Sequence, residues 1–355
     1  MSQNFNILIL GASYGSLLGT KLAMAGHNVR LICLPEEVER FNADGAIIRM
    51  PIRGHRVPVI LRSSDAPGKL DAAGPAEVDP ADYDLIALAM QEPQYSAPPV
   101  KELMTRVAAS GKPVMSIMNM PPLPFLARLP GADVTALRAC FTEPEVWDAF
   151  DPACFTLASP DPQAFRPPEE PVNLLQVSLP TNFKVAAFDT PEHTQILRQL
   201  EADIQAIRFG PDALEIPVKL KLHDSVFVPL AKWAMLITGN YRCVIEGAPR
   251  AIAQAVHDDP ALSAHVYEAV NALCAALGAD TSDMVPFEKY ANAAKGLAKP
   301  SSAARALAAG APRIERVDRI VQTLARGAGI TIPTLNRTVS LVDSKLEANR
   351  SQSAA

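Results

Sequence analysis

Residues 11–32 read GASYGSLLGTKLAMAGHNVRLI. Just before them, Ile7 to Leu10 form a continuous apolar run of the kind shown by a strand buried on both faces. Within the stretch, Leu17, Leu18, Lys21, Leu22 and Ala25 recur at helical spacing. Gly26 follows as a C-cap, and Val29 to Ile32 read as a second strand. Strand, glycine turn, helix and strand within about 30 residues make the unit in which backbone N–H groups meet a pyrophosphate at a helix N-terminus. The usual Gly-x-Gly-x-x-Gly spacing is absent. The glycines are Gly11, Gly15 and Gly19, and the loop is one residue shorter, with Ala12 and Ser13 in its middle.

Working outward, Glu36 to Ala43 reads as a helix ending at Asp44-Gly45. Ala46 to Met50 and Val57 to Leu61 read as strands on either side of Arg53-Gly54. Residues 63–82, rich in Ala, Asp, Gly and Pro, read as a loop. Tyr83 to Met90 is a further buried strand, Lys101 to Ala109 a helix, and Val114 to Met118 a strand. This alternation predicts an α/β, Rossmann-type doubly wound parallel sheet. Residues 140–172 are less regular and proline-heavy, and within them ASPDPQAFRPPEEP, 158–171, reads as a surface excursion. Leu174 to Leu179 and Phe183 to Phe188, flanking Pro180-Thr181-Asn182, read as a hairpin. Thr190-Pro191 then starts a helix that runs to about Ile207.

From residue 213 onward strand patterns give way to alanine-rich helical segments at about 224–240, 248–257, 260–277, 301–309 and 313–327. The chain therefore divides into a dinucleotide-binding domain over 1–212 and an all-helical domain over 213–355 that binds substrate or dimerises. A short-chain dehydrogenase is excluded, because no tyrosine is followed four residues later by lysine.

Composition narrows the function. A 355-residue chain that is 48% apolar, with a net charge of −5, gives no reason to expect nucleic acid or an anionic membrane as partner. Val226 to Ile237 is too short to span a bilayer and contains Pro229 and Lys232. No positive charge precedes the first apolar run, so the start does not read as a signal peptide. The five cysteines share no CxxC spacing, which suits a reduced, cytoplasmic protein. His257 and His265 are separated by Pro260, and no metal site is expected.

Along its length the chain resembles the ketopantoate reductase (2-dehydropantoate 2-reductase) family. GSLLGTKLAMAGHNVRLI resembles the family's first helix and second strand. DLIALAMQEPQ resembles its lysine-bearing segment, and VMSIMNMP its strand ending in Gln-Asn-Gly. KWAMLITGN, with HDDP after it, resembles the Trp-x-Lys-Leu-x-x-Asn helix. KPSSAARALAAGAPRIERVDRIVQTLARGAGITIPT resembles the family's Pro-Ser … Thr-Glu-Ile-Asp … Gly-Ile-x-x-Pro tail. The resemblance implies a helical C-terminal domain like that of 6-phosphogluconate dehydrogenase. It places Asn119 against nicotinamide and substrate, and Ser301 on the substrate carboxylate. It also sets the catalytic lysine on Met235, the following asparagine on Gly239 beside Asn240, the substrate glutamate on Arg313 and the cofactor-side lysine on Gln91. Ketopantoate itself is therefore not the expected substrate.

The residues suggest substitutes. A carbonyl reductase needs a donor for the developing alkoxide. Lys232, three residues before Met235, shares its helical face and is one candidate; the alternative is a solvated lysine beside Trp233. His223, beside Asp224 at the expected start of that helix, is a second candidate, on the model of opine dehydrogenases; the alternative is Asp224 as an N-cap. Arg313 suits an anionic substrate group bound bidentately, or else belongs to a surface charge array with Glu315, Arg316 and Asp318. Met235, Asn240 and Ser301 complete the expected substrate set.

For the cofactor, Gly11, Ser13, Tyr14, Gly15 and Ser16 face the phosphates, with helix capping as the alternative role for the serines. Gln91 and Asn119 lie toward the nicotinamide. Glu36 ends the second strand with no lysine or arginine from 31 to 39, which favours the ribose hydroxyls of NAD(H) over the 2′-phosphate of NADP(H). Three functions follow. The first is an NAD(P)-dependent oxidoreductase acting on a carbonyl or hydroxyl of a small, anionic substrate, with a homodimer as its expected assembly. The others are an opine-type dehydrogenase joining a keto acid to an amino acid, and a non-catalytic cofactor-binding protein.

Overall fold

A computed structural model describes residues 3–353. It divides into two compact units. The first holds the chain up to Met90 together with Gln94–Met118 and Glu145–Asp224; the second holds Gln91–Pro93, Asn119–Pro144 and everything from Ser225 onward. A single crossing at 212/213 was expected. Instead, two earlier segments belong with the helical unit and the last crossing follows Asp224.

The first unit is built on an eight-stranded sheet. In chain order its strands are β1 (Asn6–Leu10), β2 (Asn28–Ile32), β3 (Leu70–Ala73), β4 (Leu85–Leu88), β5 (Val114–Ile117), β6 (Phe155–Ser159), β7 (Phe183–Ala186) and β8 (Leu220–His223). They lie in the order β8-β7-β6-β5-β4-β1-β2-β3, all neighbours parallel except β6 and β7. The chain leaves β1 toward β2 on one side and has β4 on the other. The C-terminal end of β1 is therefore the switch point at which such sheets hold ligands. Helices α1 (Tyr14–Met24), α2 (Pro35–Asp44) and α4 (Pro191–Ala206) pack on the sheet, and α3 (Pro98–Ala109) buries Leu103, Met104 and Val107. Ile7, Ile9, Leu17, Leu22, Leu31, Leu85 and Met115 share its core.

Four expectations need correction. The supposed loop at 63–82 contains β3, whose Leu-Asp-Ala-Ala has little strand character but is held to β2 by Arg30–Asp71 at 2.7 Å. The irregular region 140–172 contains β6, buried at all five positions. The apolar runs on either side of Pro180 do not form a hairpin. Leu174–Leu179 joins a second sheet, between Ile47–Met50 and Gln163–Phe165, whereas β7 lies in the main sheet. Strands also continue past 213, in Leu214–Glu215 and β8.

The second unit is helical: α5 (Lys232–Met235), α6 (Ile252–His257), α7 (Pro260–Ala276), α8 (Phe287–Ala294), α9 (Ser302–Ala308), α10 (Val317–Gly327) and α11 (Pro333–Ser353). Asp259 caps Leu262 N–H at 2.9 Å with Pro260 at the first helical position, which fixes the start of α7. α5 runs directly into a π-helical turn, Leu236–Asn240. No helix among the described residues is long and apolar enough to cross a membrane.

Candidate active site

The glycine turn in the first unit explains its own spacing. Gly11 has φ +105°, donates its N–H to Ile32 C=O at 2.9 Å, and leaves no room for a Cβ, which would meet Met90 Cγ at 2.5 Å. Gly15 and Gly19 lie a helical turn apart on the face of α1 that packs on the sheet. A Cβ on Gly15 would stand 2.8 Å from Ile9 Cγ2, and one on Gly19 3.1 Å from Val29 and Leu70. The four-residue spacing thus lets the helix lie close on the strands. α1 has no acidic residue in its first turn, and Ser13 at its N-cap makes no capping bond. An uncapped N-terminus without a negative charge, at the switch point, fits a dinucleotide pyrophosphate. Ser16 is spent locally, its hydroxyl donating to Ser13 C=O at 2.8 Å, and the Tyr14 hydroxyl donates to Pro162 C=O at 2.9 Å.

Glu36 does not end the second strand: β2 stops at Ile32 and Pro35 starts α2, so Glu36, exposed, and Glu37, buried, both lie in the first turn of that helix. Glu37 accepts Leu34 N–H at 3.0 Å and pairs with Arg166. A cation therefore does reach this end of β2, from far outside the 31–39 window.

The second unit assembles a cluster of charged and polar groups. Asn119 donates its side-chain amide to the carboxyl of Glu315, which also accepts Glu92 N–H and lies within electrostatic reach of Lys232. Burial pushes the Glu315 carboxyl up to about 7, and the neighbouring Glu92 adds to the shift; the two hydrogen bonds and Lys232 oppose it. Asn119 Oδ1 is buried and has no donor among the described residues. Glu92 is itself buried, its carboxylate accepting Thr142 N–H at 2.8 Å and the Thr142 hydroxyl at 2.9 Å. Burial raises Glu92 above the ordinary carboxylate range, against the Thr142 bonds and the Arg313 charge. Of the expected residues, Asn119, Lys232 and Arg313 thus share one electrostatic neighbourhood, while exposed Gln91 belongs to the same unit. Glu92 and Glu315 went unrecognised; in the sequence Glu315 stands out only as one charge among several.

The remaining candidates are held differently. Met235 is half-buried, and its C=O accepts the Tyr290 hydroxyl at 3.1 Å. Ser301 and Asn240 do meet: the buried Ser301 hydroxyl donates to Asn240 C=O at 2.7 Å and caps α9 at Ala304 N–H. His223 does not begin a helix. It ends β8, in register with Ala186, and Asp224, its expected partner, is almost fully exposed beside Arg198. The strand wins because Leu220 to His223 complete the parallel edge beside β7. Among the described residues no histidine, cysteine or carboxylate cluster could hold a metal.

No protein-family model and no curated protein matches the sequence. Solved structures do match the fold. A 2-dehydropantoate 2-reductase from Methylococcus capsulatus aligns with TM-score 0.65 at 16% identity, covering 97% of each chain. A PanE/ApbA family ketopantoate reductase from Ralstonia eutropha JMP134 aligns at 0.60 and 16%, covering 97% of this chain and 99% of that one. A dimeric ketopantoate reductase from Staphylococcus aureus aligns at 0.61 and 11%, with the same coverage. This chain has the ketopantoate reductase fold over nearly its whole length.

Proposed function

We propose that this chain is a nicotinamide-dependent oxidoreductase that interconverts a carbonyl and a hydroxyl on a small, anionic substrate, with Lys232 as proton donor. The observation that carries this reading is the Glu315 carboxyl, held by Asn119 and Glu92 N–H within reach of Lys232, in a chain whose α1 N-terminus suits a pyrophosphate. A nicotinamide dinucleotide supplies or accepts the hydride. In the reducing direction Lys232 gives a proton to the developing alkoxide. Glu315, poised near neutrality, then returns a proton to the lysine amine. Asn119 Oδ1 offers an acceptor to a ligand N–H or O–H, and Arg313 supplies the charge that selects an anion.

NAD(H) is the preferred cofactor in this reading, because Arg166 is neutralised by Glu37 and Glu36 stays exposed in the first turn of α2, just beyond β2. Ketopantoate is not the proposed substrate, since Met235, Gly239 and Arg313 stand where the resemblance sets lysine, asparagine and glutamate. The opine-type alternative loses its main support with Asp224 turned to solvent. A homodimer is the proposed assembly, as in the S. aureus enzyme of this fold.

The test is turnover of a panel of 2-oxo acids with NADH and NADPH, repeated with Lys232→Met. Reduction of an acid other than ketopantoate, abolished by the substitution, supports the proposal. Ketopantoate as the best substrate overturns the substrate claim. Tight cofactor binding without turnover of any acid favours the non-catalytic reading.

A further inference from the structure

The helix that begins at Lys232 ends in a single turn, Tyr241–Cys243. Tyr241 is 3% exposed, and its hydroxyl bridges two points of another segment. It donates to Glu315 C=O at 2.5 Å and accepts Val317 N–H at 3.0 Å. Between those points, Arg316 N–H faces Met120 Sδ at 3.2 Å. The Arg316 guanidinium is locked to Asp318 at 2.9 Å and to Asp343 at 2.6 Å. Two successive peptide groups, 315–316 and 316–317, are thus pinned where the Glu315 side chain leaves the backbone.

The π turn at Leu236–Asn240 makes this contact possible. It adds a residue to the helical repeat and so brings Tyr241 onto a face that a uniform α-helix would not give it; such turns recur at functional sites. A hydroxyl that is both donor and acceptor to backbone groups two residues apart fixes their spacing in a way that ring packing alone does not.

We infer that Tyr241 is a positioning residue for Glu315: its hydroxyl clamps the 315–317 backbone, so that the helix carrying Lys232 also sets the carboxyl on which the Lys232 charge acts. The inference rests on the proposed pairing of Lys232 with Glu315, yet it can be tested without turnover.

The experiment is a ¹³C NMR titration of the full chain labelled at glutamate side chains, with the Glu315 signal assigned by its loss in Glu315→Gln. It is then repeated with Tyr241→Phe, which keeps the ring. The groups acting on this carboxyl are Glu92, Asn119 and Lys232, and all are retained in the variant. In the unmodified chain Glu315 is expected to titrate at about 7. In the variant its midpoint falls by about one unit or more as the freed turn admits water. Exchange of the Val317 amide speeds up about tenfold or more. An unchanged Glu315 titration in the folded variant overturns the inference, leaving Tyr241 a packing residue. Should Tyr241→Phe not fold, exchange at Val317 in the unmodified chain decides: protection supports the clamp, and exchange at the rate of an open amide refutes it. If Glu315 shifts as expected but Lys232→Met leaves turnover intact, the clamp stands and the catalytic pairing falls.

Discussion

The hydroxyl of Tyr290 lies 2.0 Å from the point where a Cβ on Gly239 would stand. Tyr290 is buried, stacks on Tyr267 at 5.5 Å, and donates to Met235 C=O, so its ring cannot simply swing aside. Residue 239 is glycine here because the tyrosine occupies its side-chain volume. Gly239→Ala is expected to cost about 1–3 kcal/mol by overpacking. In a Tyr290→Phe background the same change should cost clearly less. A double-mutant cycle by chemical denaturation checks this, and additive effects would show that the two positions do not interact.

Lys232 carries the proton-transfer reading. Lys232→Met is expected to lower kcat by about 10²–10⁴-fold, with cofactor affinity and folded stability little changed. Steady-state kinetics on whichever 2-oxo acid the chain reduces, beside a nucleotide titration, separate the two effects. An equal loss of nucleotide binding would place Lys232 in cofactor binding rather than in proton transfer.

Glu315 should leave a pH signature in stability. Its folded-state pKa, about 7, lies above the ordinary carboxylate value of 4.5, so the folded chain binds the extra proton between those pH values. Its contribution to stability is full below about 4.5 and falls as pH rises to about 7. Glu315→Gln removes that slope, and relative to the unmodified chain its gain should grow from pH 4.5 to pH 7. Denaturant midpoints across this range measure it; parallel curves for the two proteins would contradict the assignment.

Lys21 gives the opposite slope. It sits on α1 at 1% exposure, with Nζ 3.2 Å from Pro217 C=O and 3.4 Å from Ile216 C=O. Burial, helped by the Lys219 charge and opposed by Glu215, lowers its pKa from 10.5 to about 7. The unfolded chain therefore binds the extra proton between pH 7 and 10.5, and stability rises with pH across that window. Lys21→Met should flatten the rise and stabilise the chain most near pH 7. Thermal melts from pH 7 to 10 test this, and an unchanged slope would mean that the ammonium is solvated in the folded state.

What the sequence makes legible follows from local physics. The apolar runs of β1, β2, β4 and β5 and the small residues of the turn announce the doubly wound sheet, because each signal is contained within a few neighbouring residues. Strand pairing is not local. Leu174–Leu179 and Phe183–Ala186 look like partners but pair in different sheets, and β3, Leu-Asp-Ala-Ala, has a charge in its middle and no β-branched residue to mark it as a strand. The site divides in the same way. Lys232 and Asn119 stand out by type and position, and Glu92 and Glu315 do not, because only the folded second unit removes them from water. Arg166 reaches Glu37 across 129 residues, a distance no spacing rule covers.

The measurement that tests the account most directly is a fluorescence titration of the purified chain with NADH and, separately, with NADPH. Saturable binding of both, tighter for NADH, is the expected result, with a Gly11→Val substitution abolishing it. Tighter binding of NADPH, lost in Arg166→Ala, would contradict the reading of the β2 end while leaving the oxidoreductase standing. If neither nucleotide binds at about 1 mM, the upper end of ordinary enzyme affinities, the central claim is wrong.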